Sequence, residues 1–154
     1  MFNKKNKEDL MKIVIDEVNV AIDEGNSPFA AILIDENGEI VAKAHNTAKS
    51  HCNPVLHAEI NLITQACEKL KTRDLSKCTI MSNAWSCSMC MSACIKAKIK
   101  NYIYGAPSEG DMNPNVTIFD IKEKSTTDLN IETDVLCNEC RKQIDQARQE
   151  ERKN

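Results

Sequence analysis

The sequence has no long hydrophobic run, no leader-like start and no excess of positive charge. No apolar stretch approaches the roughly 18 residues of a membrane span. The opening residues Met1-Phe2-Asn3-Lys4-Lys5-Asn6-Lys7 are polar and lead into no apolar h-region, so the expectation is a cytoplasmic protein without a secretory signal. Lysine and arginine number 20 against 23 acidic residues, for a formal net charge of −3, which disfavours a strongly basic nucleic-acid binder. No internal repeat or low-complexity segment stands out. Cysteine, at 8 of 154 residues, is too sparse for a disulfide scaffold, which carries roughly 8–10% or more. It is still more than packing alone asks for. In a reducing compartment, cysteines at regular spacing point to metal or catalysis.

What is present fits one domain over residues 1–154 with a real core: 42% hydrophobic and 28% charged residues. Leu10, Ile13, Val14, Val18, Ala21 and Ile22 recur at helical steps, which predicts a helix over 8–24 with Gly25 at its end. Phe29-Ala30-Ala31-Ile32-Leu33-Ile34 reads as a buried strand. Asp35-Glu36-Asn37-Gly38 is a hairpin turn, and the strand returns over 39–44. Helices are expected over 56–71 and 86–98, strands over 79–82, 102–105 and 130–135, a loop over 106–114 and a charged helix over 138–152. Residues 116–121 fit helix or strand equally. This order implies helices packed on a mixed sheet.

Two segments carry the chemistry. His57-Ala58-Glu59 stands at the start of the second helix, and Cys87-Ser88-Met89-Cys90 at the start of the third. Cysteines three apart on a helix share a face, so both sulfurs can reach one ion. A helix N-terminus favours the thiolate that binds metal. One histidine and two thiolates give zinc three ligands and leave a fourth position open for water, the pattern of a catalytic rather than a closed site. Glu59 lies two residues from His57. On a regular helix the two would not share a face, but at a helix start both can approach the ion, with the glutamate moving protons rather than ligating.

These residues resemble the cytidine-deaminase-like superfamily, in the branch of guanine deaminase, yeast-type cytosine deaminase and tRNA adenosine deaminase. The likeness covers most of the chain: Pro28-Phe29-Ala30-Ala31, His45-Asn46, Asn53-Pro54, Cys94, Tyr104-Gly105-Ala106 and Glu139-Cys140-Arg141-Lys142 fall in the family's order. It implies a three-layer α/β/α fold with a mixed sheet of about five strands, one zinc per chain held by His57, Cys87 and Cys90, and Glu59 as the catalytic acid–base. It further implies substrate contacts from Asn46, the backbone at Ala58, Phe29, Trp85 and Asn115, and a homodimer. The sequence departs from the family at Trp85-Ser86, where Glu-Pro is usual. Ser86 is expected to cap the helix start in place of the proline, and Trp85 to stack on or narrow the pocket.

Other readings remain. Cys137-Asn138-Glu139-Cys140 could complete a closed four-cysteine site with Cys87 and Cys90, or that pair could be redox-active. Cys52, Cys67, Cys78 and Cys94 read as packing residues or bystanders, and His45 and His51 as hydrogen-bonding residues of a loop. The tail from Arg141 to Lys153 mixes charge signs and reads as a surface helix. On this basis the expected activity is hydrolytic deamination of a free nucleobase or nucleoside, with tRNA adenosine deamination as the alternative and a non-catalytic zinc module as the third reading.

Overall fold

Alternation along the central strands decides which helix packs where. The computed structural model describes residues 2–108 and 112–153. Its strands are β1 (Ala30–Ile34), β2 (Ile40–His45), β3 (Thr79–Ala84), β4 (Asn101–Ala106) and β5 (Asn130–Glu132), in one sheet ordered β2-β1-β3-β4-β5. β1 runs antiparallel to β2 and β3, whereas β3, β4 and β5 are parallel. The helices are α1 (Lys4–Asp23), α2 (Ala58–Leu70), α3 (Ser88–Lys96), α4 (Ile118–Lys124) and α5 (Cys137–Lys153).

Every residue of β1 and β3 is buried, as strands covered on both faces require. Ala31, Leu33, Ile80, Tyr102 and Tyr104 turn to one face and pack on Ala58, Leu62 and Ala66 of α2, Met91 and Cys94 of α3 and Ile118 of α4. Ala30, Ile32, Ile34, Met81 and Ile103 turn to the other and meet Met11, Val14 and Val18 of α1 with Cys140 and Ile144 of α5. The result is the three-layer α/β/α arrangement.

Local signals explain where elements start and stop. α1 begins four residues before the expected start at residue 8 because the Asn3 side chain accepts the Asn6 amide at 2.9 Å. It stops where Gly25 takes φ +81°. The hairpin turn is closed by the Asp35 carboxylate, which accepts the amides of Asn37 and Glu39 at 2.9 and 3.0 Å. Residues 118–124, undecided from periodicity, are helical because Thr117 and Asp120 form a reciprocal capping box. β5 ends at Glu132, shorter than expected. α3 starts at Ser88, so Cys87 is its N-cap residue. Residues 109–111 of the expected 106–114 loop lie outside the described residues.

One glycine is required by close approach. A Cβ on Gly105 of β4 would sit 2.6 Å from the Asn83 carbonyl oxygen and 2.6 Å from Cys140 Sγ. Gly105→Ala should therefore cost about 1–3 kcal/mol as an overpacking change, read as a lower urea midpoint at constant m-value. In a Cys140→Ala background the same change should cost less but not nothing, because the backbone oxygen remains. An equal cost in both backgrounds would refute this packing.

Candidate active site

α2 and α3 begin at the same end of the sheet, and their N-cap residues are His57 and Cys87. The two share one extended backbone conformation, φ −69°, ψ 161° and φ −70°, ψ 169°. Neither side chain caps its own helix, so both are available to an ion. His57 Nδ1 lies 3.5 Å from Cys87 Sγ and 3.4 Å from Cys90 Sγ. Zinc bonds of about 2.05 Å to nitrogen and about 2.3 Å to sulfur give a tetrahedral N···S edge of about 3.6 Å. The donor set is thus already spaced for tetrahedral zinc, and among the described residues it forms the one such group. The four-cysteine alternative fails on topology: Cys140 packs in the α1/α5 layer, on the other face of the sheet from α3.

A cavity of about 380 Å³ opens beside these ligands. His57, Glu59 and Cys87 line it, together with the expected contacts Asn46, Phe29 and Trp85. Cys90 is buried behind the wall. Two expected contacts are not on the wall. Ala58 is sealed into the α2 core, and Asn115 falls just beyond Asn113 and Pro114, which do line the cavity.

The chemistry of the donor set and its setting agree with a family match. The model of the cytidine and deoxycytidylate deaminase zinc-binding region matches residues 4–106. The chain belongs to this deaminase family. A tRNA-specific adenosine deaminase from Aquifex aeolicus (strain VF5) is 32% identical over 120 residues, 78% of each chain. One from Bacillus subtilis (strain 168) is 34% identical over 96 residues, 62% of this chain and 59% of that protein. A structure from a study of tRNA:A34 deaminases that edit A to I at the wobble position superposes with a TM-score of 0.76 at 22% identity, covering 86% of this chain and 96% of that one. A guanine deaminase from Nitrosomonas europaea superposes at 0.74 and 23% identity, covering 91% and 83%.

Electrostatics in this zinc-binding deaminase follow from the geometry. Cys87 accepts hydrogen bonds from the Cys90 thiol and from His57, which together push it down to about 4. The same bond, with burial, pushes Cys90 up. His57 is raised, chiefly by its hydrogen bond to Cys87. The metal-free cluster therefore holds protons that a dication must displace. Glu59 is almost fully buried, and burial raises it above the ordinary carboxylate range against an opposing hydrogen bond from Ser86. A carboxyl so raised holds a proton more readily than an exposed one, as a group that accepts and returns protons requires.

Ser86 does not cap α3 as expected. Its hydroxyl is buried against the Tyr104 hydroxyl at 2.8 Å and so ties the start of α3 to β4. Trp85 lines the cavity and stacks edge-on against Phe119 of α4, with centroids 5.3 Å apart. Asn46 Oδ1 is occupied by the Ala48 amide at 3.0 Å, which leaves the amide N–H₂ as its free donor group at the wall.

The tail reading needs correction. Arg148 of α5 reaches the cavity, with its guanidinium carbon 5.7 Å from the Phe29 ring centroid. The signal was present: Cys140, Ile144 and Arg148 form one i, i+4, i+8 row, and the first two are buried. Ser27, Pro54, Ser82, Ser108 and Met112 also line the cavity without having been expected.

Zinc loading of metal-free protein at pH 7 should release between one and two protons per ion, one from the Cys90 side and a fraction from His57. Because His57 is raised, zinc affinity should begin to fall while the pH is still above 6.5 and should keep falling below it. Competition against a colorimetric chelator from about pH 8.5 to 5.5 checks the direction. Cys87→Ser and Cys90→Ser should each lose stoichiometric zinc, and Cys137→Ser should keep it. Zinc loss in Cys137→Ser would reinstate the four-cysteine site.

Proposed function

We propose that this deaminase converts adenosine to inosine in a tRNA. The observation that carries the reading is the similarity, over 78% of both chains, to a tRNA-specific adenosine deaminase. The cavity supports it. Arg148 brings a positive charge to a pocket whose reaction needs no cation besides the metal. In this reading the guanidinium also takes a nucleotide phosphate as the substrate enters. The reading replaces the expectation of a free base or nucleoside, which rested on the resemblance of the Ser82-Asn83-Ala84 lead into the Cys87 motif to that branch, with the acidic charge balance in agreement. That charge, with the fold likeness to guanine deaminase, keeps the free-base reading as the second one.

In this reading His57, Cys87 and Cys90 hold the zinc. Bound there, zinc supplies the Lewis acidity that makes water nucleophilic near neutral pH. Glu59 takes one proton from the attacking water and passes it to the ring nitrogen, then takes the second from the new hydroxyl and passes it to the departing amine. One water is consumed, a carbonyl replaces the exocyclic amine and ammonia leaves. The Asn46 amide N–H₂ orients the base, while Phe29 and Trp85 form apolar walls that exclude bulk water.

Ammonia release should be measured with zinc-loaded protein on an anticodon stem-loop, adenosine, guanosine, cytidine and the free bases. The stem-loop is expected to be the substrate, with binding that weakens steeply as salt rises. Arg148→Gln should lower the salt slope by about one. Glu59→Ala should keep zinc and lose about 10²-fold or more in turnover. Turnover of guanine or cytosine without the stem-loop would give the second reading instead. Full ammonia release by Glu59→Ala would break the mechanism.

A further inference from the structure

His45, the last residue of β2, has a carboxylate at each ring nitrogen. Nδ1 lies 2.8 Å from Glu17 Oε1 of α1, and Nε2 lies 2.7 Å from Glu24 Oε2 at the C-cap of the same helix. A carboxylate offers only acceptors at neutral pH, and a neutral imidazole has one N–H and one lone pair. A lone pair facing a carboxylate oxygen at hydrogen-bond distance would be repelled. Both nitrogens must therefore carry hydrogen, and the ring is an imidazolium. The His45 and Glu17 side chains are only 15% and 12% exposed, so solvent screens that arm weakly, whereas Glu24 is 48% exposed.

The same residue is gripped through its backbone. The Asn61 side chain of α2 donates to the His45 carbonyl at 2.9 Å and to Thr47 Oγ1 at 2.9 Å. Between these two points stands Asn46, whose amide donates to the Phe29 carbonyl at 2.9 Å and whose side chain lines the reaction cavity. Nothing in the deamination chemistry uses His45, yet two carboxylates hold its ring.

We propose that His45 is a positioning residue, whose imidazolium, clasped by Glu17 and Glu24, fixes the end of β2 and so aims Asn46 at the substrate. The assignment rests on the deaminase reading in which Asn46 contacts the base. Burial alone would push the ring down, but the hydrogen bonds and charges of Glu24 and Glu17 outweigh it and hold His45 above 6.5. The sign follows. The clasp is complete below 6.5 and is lost as the pH rises through the raised value. The other titratable groups facing this place are Lys43 of β2, 3.7 Å from the second Glu17 oxygen, and His51 of the following loop. α2 contributes only neutral side chains there.

The test uses the zinc-loaded full chain and has two arms. In the first, ring ¹⁵N NMR should show His45 doubly protonated at pH 7, and the Asn46 side-chain amide resonances should move with the His45 midpoint. In the second, KM for the accepted substrate should rise about three- to tenfold as the pH passes that midpoint, with kcat not following. Glu24→Gln should flatten this rise, because its amide can donate to the lone pair of a neutral ring and preserve the clasp. His45→Ala should show the higher KM at every pH. A neutral ring at pH 7, an Asn46 amide indifferent to the His45 titration, or a folded His45→Ala with unchanged KM overturns the proposal. If no panel member releases ammonia, the deaminase reading fails, while the NMR arm still decides the clasp.

Discussion

The reactive end of this molecule depends on one separation, an imidazole nitrogen held 3.4–3.5 Å from two sulfurs. Holding it requires two helix starts to converge, each with its first residue in extended backbone and its side chain released from capping. That requirement explains the layer order. α2 and α3 lie on the same face, with β1 and β3 adjacent beneath them, and β1 runs antiparallel to β3 so that the segment after β2 returns to where β3 ends. It also explains the cluster's electrostatics. Two thiols and an imidazole brought this close share protons unless a dication replaces them, and two helix N-termini favour the anionic form.

That His57, Cys87 and Cys90 meet, with Glu59 beside them, was legible because each placement is local. A side chain at a helix N-terminus is placed by the few residues around it, so His57-Ala58-Glu59 and Cys87-Ser88-Met89-Cys90 could be read without the rest of the chain. The sheet was legible for a similar reason: buried strands announce themselves as β-branched and small apolar runs. The cavity wall was not. Ser27, Arg148 and the 112–114 segment meet there through tertiary folding. Charge pattern alone made α5 a surface helix, although the Cys140–Ile144–Arg148 row already pointed one arginine inward. Ser86 was misassigned because its options, a local cap or a bond to Tyr104, differ only in what β4 brings within reach. α4 was open to sequence through Thr117 and Asp120, since a capping box decides a short segment that periodicity cannot.

Charge bears on the substrate by position rather than by sum. A net charge of −3 argues against a surface built for a polyanion. The guanidinium of Arg148 stands at the pocket itself, over the Phe29 ring. At the pocket the local charge outweighs the sum, because Coulomb interactions between exposed charges fade over about 8 Å at physiological ionic strength. Only charges near the cavity act on what enters it.

The two faces of the sheet divide the work. The α2/α3 face carries His57, Cys87, Cys90 and Glu59, all at helix starts and all buried or half-buried. The α1/α5 face supplies groups that reach round the sheet end: Arg148 over Phe29, and Glu17 and Glu24 on His45 beside Asn46. Substitutions on the second face can change what is bound and how it is aimed without disturbing a single donor of the metal cluster. The reverse does not hold, since a shift of α2 or α3 by a fraction of an ångström alters the N···S edge on which zinc binding depends. The Trp85-Ser86 pair belongs to the constrained side, where the Ser86 hydroxyl is tied to Tyr104 of β4 at 2.8 Å.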